Sequence, residues 1–173
     1  MVELEFIRDD STLAAGYNKY SENGVLQLWT LPEGELLQTK ELRAPGNWII
    51  WTMAISPSGE FFAWTLNNGG VYLMELASGE VLEYKYLGTR EVTFAPSSQI
   101  LASPVGPNTN LWRIDGTVLN TLLDSTEASI DVIAFSPDES LIAMANNRLR
   151  SKSGDEYLPS TLLLWEIADE SVL

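Results

Sequence analysis

The side chains with the widest chemical reach in this chain are its carboxylates. Asp9-Asp10, Asp138-Glu139 and Asp155-Glu156 are adjacent pairs. Paired carboxylates can serve as acid and nucleophile, or acid and base, in glycoside hydrolysis when a fold holds them at a definite separation. Each pair falls in a stretch that reads as a turn, where a solvated charge is the simpler reading. Asp155-Glu156 also invites a calcium site, but the Asp-x-Asp-x-Asp-Gly spacing of a calcium loop is missing. The sequence has no histidine and no cysteine. That removes the commonest general base, the thiol nucleophile, thiolate metal ligands and disulfides. A nucleophile elbow, a phosphate loop, a dinucleotide fingerprint and a zinc-protease helix are all lacking. The expectation is a protein that is not an enzyme and carries no cofactor and no metal.

Binding chemistry is better represented. The chain has 173 residues, with 10 basic against 24 acidic side chains and a net charge of −14. Nucleic-acid and anionic-lipid binding draw on a basic surface, so neither is expected. The acidity is read as a solubility feature ahead of a signature for a basic partner. Arg148-Leu149-Arg150-Ser151-Lys152 reverses the charge locally, and a solvated loop is the first reading of it. The apolar runs are far shorter than the ~20 residues of a membrane span, and residues 1–10 lack the pattern of a signal peptide. A cytoplasmic location is the default expectation.

These residues have to be positioned by elements that the hydrophobic pattern reveals. Residues 130–145 read as two short apolar strands joined by Ser136-Pro137-Asp138-Glu139. The same frame, an apolar anchor followed eight residues later by Ala, recurs at Phe6/Ala14, Ile55/Ala63, Phe94/Ala102 and Phe135/Ala143. The anchors lie 49, 39 and 41 residues apart, which is the period of a repeat architecture. The units run over about 1–43, 44–87, 88–126 and 127–173 within a single region. Each offers strand-like pieces punctuated by turn residues such as Pro32-Glu33-Gly34, Asn67-Asn68-Gly69-Gly70 and Asp115-Gly116. The connection from Pro104 to Thr109, with two prolines, reads as a loop, and Asn147 to Ser160 reads as an insertion. Phe61-Phe62-Ala63-Trp64, Ile49-Ile50-Trp51 and Leu162-Leu163-Leu164-Trp165 are apolar without alternation, which predicts strands covered on both faces. The fold class that follows is all-β: four-stranded antiparallel sheets packed face to face around an axis.

The repeats resemble the WD-repeat (WD40-type) β-propeller family in a degenerate, bacterial-type form. Phe135-Ser136-Pro137-Asp138 and Ile55-Ser56-Pro57-Ser58-Gly59 match the end of its first strand, and Phe94-Ala95-Pro96 does so loosely. Leu101-Ala102-Ser103 matches its second strand. Leu28-Trp29, Leu111-Trp112 and Leu164-Trp165 match its third, with Leu73-Met74 degenerate. The family's Gly-His dipeptide is missing, and the position of its structural Asp holds Asn23, Asn68, Gly106 and Pro159. The hydrogen-bond network built on those residues therefore cannot form, and apolar packing must hold each blade. Trp29, Trp112 and Trp165 are expected in the core.

The resemblance implies a non-catalytic scaffold that binds a protein or peptide, a basic one included, through the loop face of the propeller. Trp51, Arg90 and Asp131 stand four residues before an anchor, where family members often touch partners. Trp48 falls in a loop between units, while Tyr20, Asn67, Arg148 and Arg150 fall in loops within them. Tyr, Trp and Arg are the types that dominate recognition hot spots. For Trp48, packing between blades is an equal reading, and for Trp51 it is the preferred one. A carboxylate-based enzyme with its site in the central funnel, and a regulatory propeller of a larger signalling protein, are the alternatives. The fourth unit lacks its outer strand, so the ring is expected to be incomplete. It would be part of a longer propeller, one half of a ring of two copies, or a small closed ring. An open ring would self-associate through its exposed blade edges and apolar faces.

Overall fold

The structure, a computed structural model, describes residues 2–7, 10–18, 23–43, 49–84, 91–106, 108–123, 130–146 and 160–167. The described residues contain no helix and form four antiparallel sheets. The first sheet runs β1 (Val2–Ile7), β2 (Thr12–Asn18), β3 (Asn23–Thr30), β4 (Leu36–Arg43). The second runs β5 (Ile50–Ile55), β6 (Phe61–Leu66), β7 (Val71–Glu75), β8 (Val81–Tyr84). The third has β9 (Thr93–Phe94), β10 (Ile100–Val105), β11 (Asn108–Arg113) and β12 (Val118–Leu123). The fourth has β13 (Val132–Phe135), β14 (Leu141–Ala145) and β15 (Leu162–Glu166). Each sheet is a meander of consecutive strands.

One expected loop is mostly strand. β10 and β11 continue through the stretch around Pro104, with Pro104 opposite Thr109. On its other side β10 is paired only at Leu101 and Ala102. At Pro104 that edge carries no ladder bond, and a residue without an N–H fits there.

Period-two alternation gives each sheet two different faces. Cross-strand partners fall on one face, so the pairings define rows. One row per sheet contains the repeat anchor: Phe6–Leu13–Trp29, Ile55–Phe62–Met74, Phe94–Leu101–Trp112 and Phe135–Ile142–Trp165. The opposite face carries a row of small residues ending in Leu: Ala14–Leu28, Ala63–Leu73, Ala102–Leu111 and Ala143–Leu164. We call these the anchor face and the leucine face.

The core is where a leucine face meets the next sheet's anchor face. Ala14, Leu26 and Leu28 pack with Met53, Ile55, Phe62 and Met74. Ala63, Val71 and Leu73 pack with Val92, Phe94, Leu101 and Trp112. Ala102 and Leu111 pack with Ile133, Ile142 and Met144, with Phe135 and Trp165 at the margin. The first strands of the sheets, β1, β5, β9 and β13, touch in that order, and no contact of comparable extent joins β13 to β1 among the described residues. Between the first two sheets Trp64 stacks on Phe62 at 5.9 Å and on Tyr72 at 5.3 Å, an aromatic layer that contributes beyond its area. Here Gly24 leaves room for the second sheet: a Cβ on it would overlap Ile50 Cδ1.

Phe61–Trp64 is covered on both sides, as expected, but Leu162–Trp165 is not. Leu163 and Trp165 pack against the third sheet, whereas Leu162 and Leu164 are 68% and 66% exposed. Among the described residues no sheet covers the leucine face of the fourth sheet. Likewise none covers the anchor face of the first, where Leu4 and Phe6 are 61% and 60% exposed and Trp29 is only half-buried. Trp112 is core as expected, while Trp165, like Trp29, is half-buried. Ile49 is also exposed.

The first two strands of each sheet are joined by one recurring turn. The residue four past the anchor has a left-handed backbone in all four sheets: Asp10 (φ 62), Gly59 (φ 68), Ser98 (φ 64) and Glu139 (φ 59). Ser56 and Ser136 brace their turns by accepting the N–H of Phe61 and of Leu141, each at 2.9 Å. The left-handed residue also reaches the neighbouring sheet. Ser58 N–H donates to Ser98 Oγ at 3.0 Å, and Ser97 N–H donates to the Glu139 carboxylate. Turn is thereby latched to turn from the second sheet to the third and from the third to the fourth.

Two outcomes test this packing. Ser98→Ala leaves the Ser58 N–H without its acceptor and keeps the unfavourable φ, so urea unfolding should show a loss of about 1–2 kcal/mol. Ser98→Gly loses the same bond but relieves the backbone by about 1 kcal/mol, and should cost correspondingly less. Gly24→Ala should destabilise by about 1–3 kcal/mol through overpacking. Adding Ile50→Val, which removes the clashing Cδ1, should recover part of that loss.

Candidate functional site

The turns after β5, β9 and β13 are latched to one another, so these strands begin together at the opposite end, where the sequence places the expected partner-binding residues. Three of them are described: Trp51, Asn67 and Asp131. Tyr20, Trp48, Arg90, Arg148 and Arg150 lie outside the described residues, as do Asp9 and the Asp155-Glu156 pair.

Trp51 is positioned by an irregularity. Ile50 pairs with Leu66 and Thr52 with Thr65, which leaves Trp51 as the extra residue of a β-bulge in β5. A bulge bends its strand and re-aims the side chain it carries, and such features gather beside functional sites. The indole is half-buried. The sequence could name Trp51 but not its bulge, because the register depends on the pairing with β6.

Asn67 is held in a structural bond. Its Oδ1 accepts the N–H of Ile49 at 2.9 Å, and its own N–H donates to the Ile49 carbonyl at 2.9 Å. The pair closes a ring that pins the entry to β5 beside Trp51. Ile49, expected from the apolar run Ile49-Ile50-Trp51 to be covered, is instead held at this end with 58% of its surface exposed, because it precedes the paired part of β5. Asp131 precedes β13 and is half-buried; its N–H donates to Ala145 O at 2.9 Å. The adjoining Ile130 N–H donates to Gly106 O at 2.9 Å and ties the fourth sheet to the third. Trp51, Asn67 and Ile49 form one group on the second sheet, while Asp131 stands at the same end with the third sheet between them.

Of the carboxylates singled out from the sequence, Asp138 and Glu139 serve the turns at the opposite end. Asp138 Oδ1 accepts from Ser136 Oγ at 2.6 Å, Ser140 Oγ at 2.8 Å and Ser140 N–H at 3.1 Å. These bonds, that from Ser136 foremost, hold its carboxyl at about 2, well below the usual range. Asp115 is lowered in the same way by Thr117, whose N–H donates to it at 2.8 Å. A general acid needs its proton near neutral pH, and Asp138 is shifted away from that. Asp138 and Glu139 line the mouth of a cleft of about 570 Å³ between the third and fourth sheets, with Arg113, Leu111 and Leu119 on its other wall. A second cleft of about 540 Å³ separates the outer strands of the first two sheets, lined by Lys40, Leu42, Tyr72 and Val81. Among the described residues no cluster of His, Cys, Asp and Glu could hold a metal ion, and no helix is long and apolar enough to cross a membrane.

Compared with protein-family models and with curated proteins, the chain matches none.

Asp138 has a defined pH signature. Because its folded carboxyl sits below the unfolded value of about 4, its stabilisation is present above that pH and is lost as the pH falls through about 2. Asp138→Asn should therefore be less stable than the wild-type chain at about pH 5–7, with the gap closing on acidification; thermal unfolding at several pH values reads it.

Proposed function

We propose that the chain is a set of WD-repeat-type propeller blades, a rigid platform that binds a protein or peptide segment at the end where the first strands of the sheets begin. The observation that carries this is Trp51. A large aromatic side chain sits on a bulge at a sheet end, beside exposed Ile49, with its strand entry pinned by the paired bonds of Asn67. An anchor of this kind loses little freedom on binding, because the scaffold beneath it is already packed. Trp with an adjacent aliphatic is the composition of a recognition hot spot.

The blade reading is supported by the common frame of the four units and by the regular meeting of leucine and anchor faces. The net charge of −14 gives a positively charged segment the faster encounter, and that advantage should weaken with salt. At the other end Asp138 and Glu139 are engaged in turn and latch bonds, which supports a binding platform over a carboxylate-based site.

The test is selection of binding peptides from a displayed random library against the whole chain. Trp51→Ala should weaken the selected peptides at least tenfold, about 1.4 kcal/mol, in titration calorimetry, with the melting temperature little changed. Asp138→Asn, at the far end, should leave their affinity as it is. Peptides that bind equally to the Trp51→Ala chain would rule out this end as the docking surface.

A further inference from the structure

The repeat frame allows each exposed apolar residue to be compared with its three counterparts. Leu4 corresponds to Met53, Val92 and Ile133, all buried at 5% or less. Phe6 corresponds to Ile55 and Phe94, both buried, and to Phe135, which packs at the margin of the third core cluster. Leu164 corresponds to Leu28, Leu73 and Leu111, and Leu162 to Leu26, Val71 and Thr109; all six are buried. The residues of the first and fourth sheets are thus the same kind of residues at the same positions, but without a neighbouring sheet among the described residues. Exposed positions that are exposed in every unit do not have this meaning: Leu36, Val81 and Val118 are counterparts, all three exposed.

The two uncovered faces are of opposite kind. The first sheet shows an anchor face, and each of the other three anchor faces is covered by a leucine face. The fourth sheet shows a leucine face, and each of the other three leucine faces is covered by an anchor face. What fits either end is therefore present at the other end, and β1 and β13 of one chain are not in extensive contact. We propose that two copies of the chain associate head to tail, the leucine face of the fourth sheet of one receiving the anchor face of the first sheet of the next. The inference does not depend on which segment docks near Trp51.

The turns support the same register. In the two latches seen, the donor is the N–H three past an anchor, and the acceptor is the side chain of the left-handed residue four past the next anchor. At the open ends the corresponding groups are the Asp138 N–H of the fourth sheet and the Asp10 carboxylate of the first. Asp10 keeps a left-handed backbone, with φ 62, at the acceptor position. Head-to-tail docking would bring these two turns together as it does Ser58 with Ser98. Such an interface uses two different patches, so it either closes into a ring or continues as a filament. Two copies joined twice would make a ring of eight sheets, within the roughly four to eight blades of known propellers.

Sedimentation velocity of the whole chain from about 1 to 200 μM tests this. The expected result is a species of twice the single-chain mass or an even multiple of it. Phe6→Asp and Leu164→Asp each put a charge on an exposed position, so both should stay folded by circular dichroism and each alone should run as a single chain. Mixed in equal amounts they should associate again, at higher concentration than wild type, because each keeps the face the other has lost. Asp10→Ala should weaken wild-type association by about tenfold. The proposal is overturned if the wild-type chain keeps the single-chain mass across that whole range. It is overturned equally if either variant alone associates like wild type, since that would mean like faces pairing, or if the mixture never associates.

Discussion

Adjacent residues on a strand point to opposite sides of its sheet, and in this chain both sides are made to meet other sheets. That constraint explains the Leu-Trp pairs of the third strand in each unit. In Leu111-Trp112 the leucine packs toward the fourth sheet and the indole toward the second. It also explains the alanines eight residues past each anchor, since a small residue opposite the incoming aromatic row lets two sheets approach closely. Gly24 takes this to its limit, where even a methyl group would meet Ile50. Among the described residues the sheets meet through this interdigitation of unlike faces, with a few backbone and turn hydrogen bonds beside it.

The turns at one end add direction to that packing. A left-handed residue recurs at the same place in four sheets, although only Gly59 is a glycine. Ser98 and Glu139 accept a conformation that costs them about 1 kcal/mol and use their side chains to bind the preceding turn. The Asp138 carboxylate, strongly acidic through its serine partners, belongs to the same construction. Asp138 and Glu139, which read as candidates for chemistry, are both engaged in the turn and its latch. The latches lie at one end, and Trp51 and Ile49 lie at the other.

Sheets packed in this way differ between the inner faces and the two end faces. Every internal sheet is satisfied on both faces, so the exposed apolar area is concentrated at the first and fourth sheets. Large contiguous apolar faces on soluble proteins mark contact surfaces. The repeat tells what kind of surface each one is built to meet, because the same positions are seen covered elsewhere in the chain.

The strands, their antiparallel order and the recurring turn were legible in the sequence, since alternation, the anchor–Ala frame and the Ser-Pro turns are local properties. Phe61–Trp64 and the meander of each sheet came out as the pattern required. The extension of strand through Pro104 was not legible, because it depends on how far β9 runs beside β10. The sequence placed Trp51 among the binding residues, but its bulge arises only from the register with β6. Asn67 looked like a loop side chain open to partners and is tied to Ile49, a residue 18 positions earlier in the chain. Leu162 and Leu164 mark the sharpest division. Their residue types say that both faces of β15 are made for burial, and only the tertiary structure decides that one of them is left uncovered, because burial depends on whether a neighbouring sheet is there to supply it.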